Sequence, residues 1–110
     1  MTIFELIRKA EGKKPAIHTG IEFYTECLAW FNSQGVRWNN GNTTYDQTVP
    51  ENKECRCGES TVLILDPTKG NKLFYGDKPY CERNPKYAVF EYTELFEIKP
   101  ISFSDLDDVL

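Results

Sequence analysis

Apolar positions recur at helical spacing twice near the start of the chain and then gather into continuous runs further on. Ile3, Leu6, Ile7 and Ala10 mark a short first helix over Thr2 to Ala10. Thr2 with Glu5 three residues later supplies a capping box, and Gly12 stops the helix. Lys13-Lys14-Pro15 reads as a connector, and Ala16-Ile17-His18 as a short strand. A second capping box, Thr19 with Glu22, opens a predicted helix over Gly20 to Gln34 that Gly35 ends. At about 100° per residue, Ile21, Phe23, Tyr24, Cys27, Leu28, Trp30 and Phe31 share half of its circumference. Phe23 and Trp30 lie at one margin of that arc and are the helix residues expected to reach the surface. Val36-Arg37-Trp38 then reads as extended.

The pattern disappears between residues 39 and 60. Only Tyr45, Val49 and two cysteines are apolar there, with room for a short strand around Thr43–Gln47. A polar loop of this length in a small domain tends to be functional or mobile. Order returns with Thr61 to Leu65, an unbroken apolar run and so a well-buried strand. Asp66 to Asn71 is a turn, with Pro67 setting a φ angle and Gly70 supplying a positive one. Lys72 to Tyr75 pairs back as a hairpin. Residues 76–85 read as loop, Tyr87 to Tyr92 as a third strong strand, and Thr93 to Phe96 as a turn or short helical start. Residues 101–106 repeat the alternation of 90–95 as a second strand end. The expected fold class is α+β: a small, mostly antiparallel sheet of three to five strands with two helices, one packed across its face.

Size makes this a single domain over residues 1–110, with the polar loop at about 39–60 and an acidic tail at about 99–110. A chain of 110 residues buries roughly two thirds of the surface it exposes unfolded, so it needs no disulfide or metal staple. The net charge of −4 argues against a phosphate-backbone binder, which usually carries a basic face. The charge is uneven. Arg8, Lys9, Lys13 and Lys14 lie near the start, whereas Glu94, Glu97, Asp105, Asp107 and Asp108 form an acidic surface near the end. The first residues lack the pattern of a secretory leader, and no run approaches a membrane span. A cytoplasmic setting with reduced cysteines is expected.

Catalytic signatures are nearly absent. His18 is the one histidine and sits just before a helix cap, where a structural role is expected. Neither a P-loop nor a dinucleotide fingerprint occurs. Cys55 and Cys57, with Cys27 and Cys81, offer a single C-x-C instead of two C-x-x-C knuckles, so no metal or other cofactor is expected. The candidate binding cluster is aromatic and polar: Arg37, Trp38, Asn39, Asn40 and Tyr45, joined by Tyr75 and Tyr80 from the opposite loops. Trp, Tyr and Arg dominate interface hot spots, and the same types stack on bases. Trp38 equally suits a plug at the end of the core, and Asn39-Asn40-Gly41 a plain turn.

Three segments in order carry a family resemblance. They are Phe31-Asn32-Ser33-Gln34-Gly35-Val36-Arg37-Trp38, a helix end followed by Gly-x-x-Trp; Asn71-Lys72-Leu73-Phe74-Tyr75-Gly76, an Asn-Lys-Leu-x-Tyr-Gly hairpin; and Phe90-Glu91-Tyr92-Thr93-Glu94-Leu95, a strand with an acidic-leucine turn. Over about residues 15–96 the chain resembles a loose class of small bacteriophage early or accessory proteins. The class has no shared catalytic residues. The resemblance implies phage origin, early expression and interference with host machinery, so the expected function is non-enzymatic: binding and inhibiting a host protein or complex, plausibly an anti-phage defence nuclease or CRISPR-type assembly. Two alternatives stand beside it. One is a module that sequesters a small defence signalling nucleotide, with Trp38 or Tyr45 on the base and Arg37 or Arg56 on a phosphate. The other is a single-stranded nucleic-acid-binding accessory, which the acidity opposes.

Overall fold

The computed structural model describes residues 1–46, 48–53 and 55–96. Strands β1 (Lys14–His18), β2 (Arg37–Trp38), β3 (Thr61–Asp66), β4 (Lys72–Asp77) and β5 (Tyr87–Glu91) form one sheet in the order β2-β4-β3-β1-β5. Helices α1 (Ile3–Lys9), α2 (Tyr24–Ser33), α3 (Pro50–Lys53), α4 (Lys78–Arg83) and α5 (Tyr92–Phe96) complete an α+β domain, with 3-10 turns at Gly58–Ser60 and Pro67–Lys69. No helix among the described residues is long and apolar enough to cross a membrane.

The sheet is mixed, not mostly antiparallel. β3 runs antiparallel to β1 and to β4, whereas β1–β5 and β2–β4 are parallel pairs. Parallel neighbours need crossovers, and helices supply them. α2 carries the chain from β1 to β2 over one face, and α4 carries it from β4 to β5 over the other. The strand side chains therefore alternate between two cores. Ile17, Leu63, Leu65 and Leu73 face α1, α2 and α5, packing with Ile3, Leu6, Leu28, Phe31 and Leu95. Ala16, Val62 and Ile64 point the other way, against Cys81 of α4. Gly76 permits that approach. A Cβ there would lie 3.0 Å from Ile64 Cδ1, 3.5 Å from Val62 Cγ2 and 3.8 Å from Cys81 Sγ.

α1 forms as its sequence predicts, with both halves of the Thr2–Glu5 capping box in place. α2 begins later than expected. Gly20 adopts a left-handed φ of +57° and Glu59 packs against it, so the Thr19–Glu22 box is not made. The Thr19 hydroxyl donates to the Gly20 carbonyl instead. On α2, Tyr24, Cys27, Leu28 and Phe31 are buried and Phe23 and Trp30 are half-buried, but Ile21 falls before the helix and is 58% exposed. An unbroken series of rings, Phe23–Tyr92–Phe96–Trp30–Phe31, joins α2 to α5 with centroid separations of 4.5 to 5.1 Å.

The expected loop at 76–85 contains α4. Asp77 precedes it and Pro79 occupies its first turn, a placement where the missing proline N–H costs nothing. In place of a strand near 43–47, a single bridge joins Thr43 to Arg37. The strand end expected at 101–106 lies outside the described residues.

Candidate functional site: an aromatic and polar surface along β4

Trp38 is core. It is 3% exposed, and its indole N–H donates to Asn52 Oδ1 at 2.7 Å. The Asn52 amide in turn donates to the carbonyls of Thr43 and Asp46 at 3.0 and 2.6 Å. One buried asparagine thus binds Trp38 to two points of the polar segment, which is folded onto the domain there. This burial fits Trp38 as a plug at the end of the core. Arg37 is exposed on β2, and its backbone pairs with Lys72 and Thr43.

Trp38, Asn39, Asn40 and Tyr75 do converge. They line a shallow pocket of about 240 Å³ with Glu51, Arg56, Leu73 and Phe74. The pocket exists because β2 covers β4 only as far as Leu73, where the Asn39 N–H closes the pairing on the Leu73 carbonyl. Beyond that point Tyr75 projects from an edge. Its ring is 41% exposed, with the Arg56 guanidinium 5.4 Å from the centroid, and Arg56 Nη1 donates to its hydroxyl at 3.1 Å. On the far wall Asn40 Nδ2 donates to Glu51 Oε1 at 2.6 Å. The backbone N–H of Glu51 and this amide hold the Glu51 carboxyl below its ordinary pKa. Glu51 and Arg56 are partners that the sequence cluster did not include. Arg56 was visible only as a cation near two cysteines, and the folding of the polar segment is what brings it to Tyr75.

Tyr45 and Tyr80 lie elsewhere. Tyr45, 66% exposed, borders a recess of about 450 Å³ with Thr25, Ala29, Thr44 and Asp46. Tyr80, 53% exposed, projects from α4 and lines a different recess, which it shares with Tyr75. Of the acidic set, Glu94 lies on α5 and its Oε1 accepts the Glu91 N–H at 3.3 Å. Glu97, Asp105, Asp107 and Asp108 fall outside the described residues.

The remaining reactive side chains are engaged in structure. His18 Nδ1 meets Glu91 Oε2 at 2.6 Å and its Nε2 meets the Glu59 carbonyl at 2.6 Å. Lys78 Nζ donates to the other Glu91 oxygen at 2.7 Å. Cys27 and Cys81 are buried on opposite faces of the sheet, and burial raises the pKa of both thiols. The Cys55 thiol lies among the carbonyls of Gly20 and Gly58 and the hydroxyl of Thr61, at 3.0 to 3.4 Å. The sheet between Cys27 and Cys81 keeps the four sulfurs from converging on one ion. No group of three or more metal-ligating side chains occurs among the described residues.

Compared with known proteins, the chain matches no family model, no curated protein and no solved structure.

Proposed function

We propose that this is a non-enzymatic bacteriophage accessory protein that binds and inhibits a host protein, with a defence nuclease or CRISPR-type complex as the target class. The observation that supports the reading is the Arg56–Tyr75 pair. A partly exposed tyrosine is held in place by a guanidinium through both its ring and its hydroxyl, beside Asn39 and Asn40. Tyr and Arg supply most of the binding energy at protein interfaces, and a preorganised pair loses less entropy on docking. The size of the pocket favours a protein partner over a small ligand. About 240 Å³ lies below the 300–1,000 Å³ typical of small-molecule sites and suits one protruding side chain.

The test is capture from a bacterial lysate with tagged protein, after nuclease treatment, alongside the Tyr75→Ala/Arg56→Ala variant. One stoichiometric partner held by the parent chain and lost by the variant supports the reading. Capture of nothing, or equal capture by both proteins, overturns the surface as its basis.

A further inference from the structure

Among the described residues α4 packs on the sheet face opposite α2, against β5 and β4, with Cys81 meeting Val62, Ile64 and Ala16. Beside it lies a recess of about 250 Å³ lined by Phe74, Tyr80, Tyr87, Lys14 and Lys69 among others. The three rings come from β4, α4 and β5. Tyr80 and Tyr87 are tilted at 55° with centroids 6.2 Å apart, and Asn84 Nδ2 donates to the Tyr80 hydroxyl at 3.3 Å, fixing its direction. Lys69 Nζ lies 5.4 Å from the centre of the Phe74 ring.

Lys14 is shared with a second groove of about 370 Å³, also lined by Lys13, Lys86, Pro67, Pro85 and Ile7. Lys13, Lys14, Lys69 and Lys86 thus line two adjoining recesses in a chain whose net charge is −4. The one carboxylate among the lining residues is Asp66. It is 2% exposed and already held by Lys14 at 3.2 Å and by Thr68. Among the described residues that line the two recesses, four lysines face one carboxylate, and this lining is cationic.

One exposed and two half-buried rings beside a row of lysines suit one ligand chemistry. A flat base stacks on the aromatic side chains while its phosphate lies against the ammonium groups. We infer that this sheet face binds a nucleotide unit, its base in the Phe74–Tyr80–Tyr87 recess and its phosphate along Lys13, Lys14 and Lys86. The unit is either a free nucleotide or one residue of a single strand. The first recess is large enough for a base and too small for a whole nucleotide, which places the phosphate in the second. This site shares Phe74 and Tyr75 with the Arg56–Tyr75 pocket but takes Tyr80, Tyr87 and its lysines from other elements, and it runs against the expectation that net acidity drew from the sequence.

The experiment is an NMR titration of the ¹⁵N-labelled chain with adenosine monophosphate and, separately, with a short oligo(dT) at low salt. The expected result is a set of amide shifts centred on Lys14, Lys69, Tyr80 and Tyr87. Affinity for the oligonucleotide should fall with salt, with a log–log slope of about −0.7 per phosphate neutralised. Response to both probes assigns a free nucleotide, and response to oligo(dT) alone assigns a strand. The Lys13→Glu/Tyr80→Ala/Lys86→Glu variant alters exposed side chains, leaves the Lys14–Asp66 pair intact, and should bind about tenfold more weakly or worse while keeping the parent amide spectrum elsewhere. No shifts with either probe, shifts centred elsewhere, or unchanged affinity in the variant would overturn the inference. Protein capture through Arg56 and Tyr75 is read in a different assay, so either idea can fail alone.

Discussion

Asn52 accepts the indole N–H of Trp38 at 2.7 Å, and both side chains are shielded from solvent. With its amide spent on the carbonyls of Thr43 and Asp46, this one residue is the keystone of the polar segment. Truncation of Asn52 to alanine leaves the Trp38 N–H and the Thr43 carbonyl without these partners, while the Asp46 carbonyl keeps the Val49 N–H at 3.1 Å. The expected loss is about 2–3 kcal/mol in urea unfolding. Asn52→Asp keeps the acceptor for Trp38 and removes both donors, so it too should destabilise.

Gly20 holds a left-handed backbone with Glu59 Oε2 3.1 Å from where a Cβ would sit. Gly20→Ala meets both the conformational penalty and the contact. The expected cost is about 1–2 kcal/mol, measured as a shift in the urea midpoint at unchanged slope. A neutral effect would mean that Glu59 swings clear and that the backbone relaxes with it.

Acid should weaken the fold through Asp66 and Glu91. For Asp66, burial raises the pKa, but hydrogen bonds from Thr68 and Lys14 outweigh it and hold the group below its ordinary 3.8. For Glu91, burial is likewise outweighed by Lys78 and His18. A carboxyl whose folded pKa is depressed contributes stability above its unfolded value and loses it as pH falls through the folded one. Urea midpoints should therefore hold near neutrality and drop towards about pH 3. Asp66→Asn should lower the neutral midpoint and flatten part of that drop. The raised pKa of Lys78, caused first by its hydrogen bond to Glu91, acts in the other direction: its contribution is lost only as pH rises past the folded lysine value.

Tyr75→Phe separates the two bonds of the Arg56 pair. It keeps the ring beneath the guanidinium and removes the hydroxyl that accepts at 3.1 Å. Against a captured partner, calorimetry should show the Phe variant weakened by up to about tenfold and the Ala variant by more. Equal losses would place the function of Tyr75 in its hydroxyl alone.

Local signals were legible in the chain and tertiary ones were not. The α1 cap, the buried run of β3 and the Asp66–Asn71 turn depend on neighbours in sequence, and each forms where the pattern places it. The start of α2 was misread because the conformation of Gly20 involves Glu59, far along the chain. α4 did leave a trace, an aspartate followed by a proline in the first helical turn, hidden within a segment otherwise rich in turn formers. The parallel pairs join distant segments and have no signature in either strand alone. At the candidate site, residue types named four residues that line one pocket, Trp38, Asn39, Asn40 and Tyr75, but left the position of Trp38 open. Only the partner of its N–H, a residue in the polar segment, decides that it points inward.

The place of β1 in the sheet has a consequence for how the chain assembles. β1 is flanked by β3 and β5, so the first strand is completed by the last of the described ones, with Lys14 opposite Tyr87 and His18 opposite Glu91. Nearly the whole described chain must be synthesised before its earliest strand gains its second neighbour. Contacts of such long sequence separation slow folding and leave an unpaired strand side exposed meanwhile. During synthesis β1 therefore waits for β5, and a stop before β5 leaves one side of β1 unpaired and ready to pair with another chain.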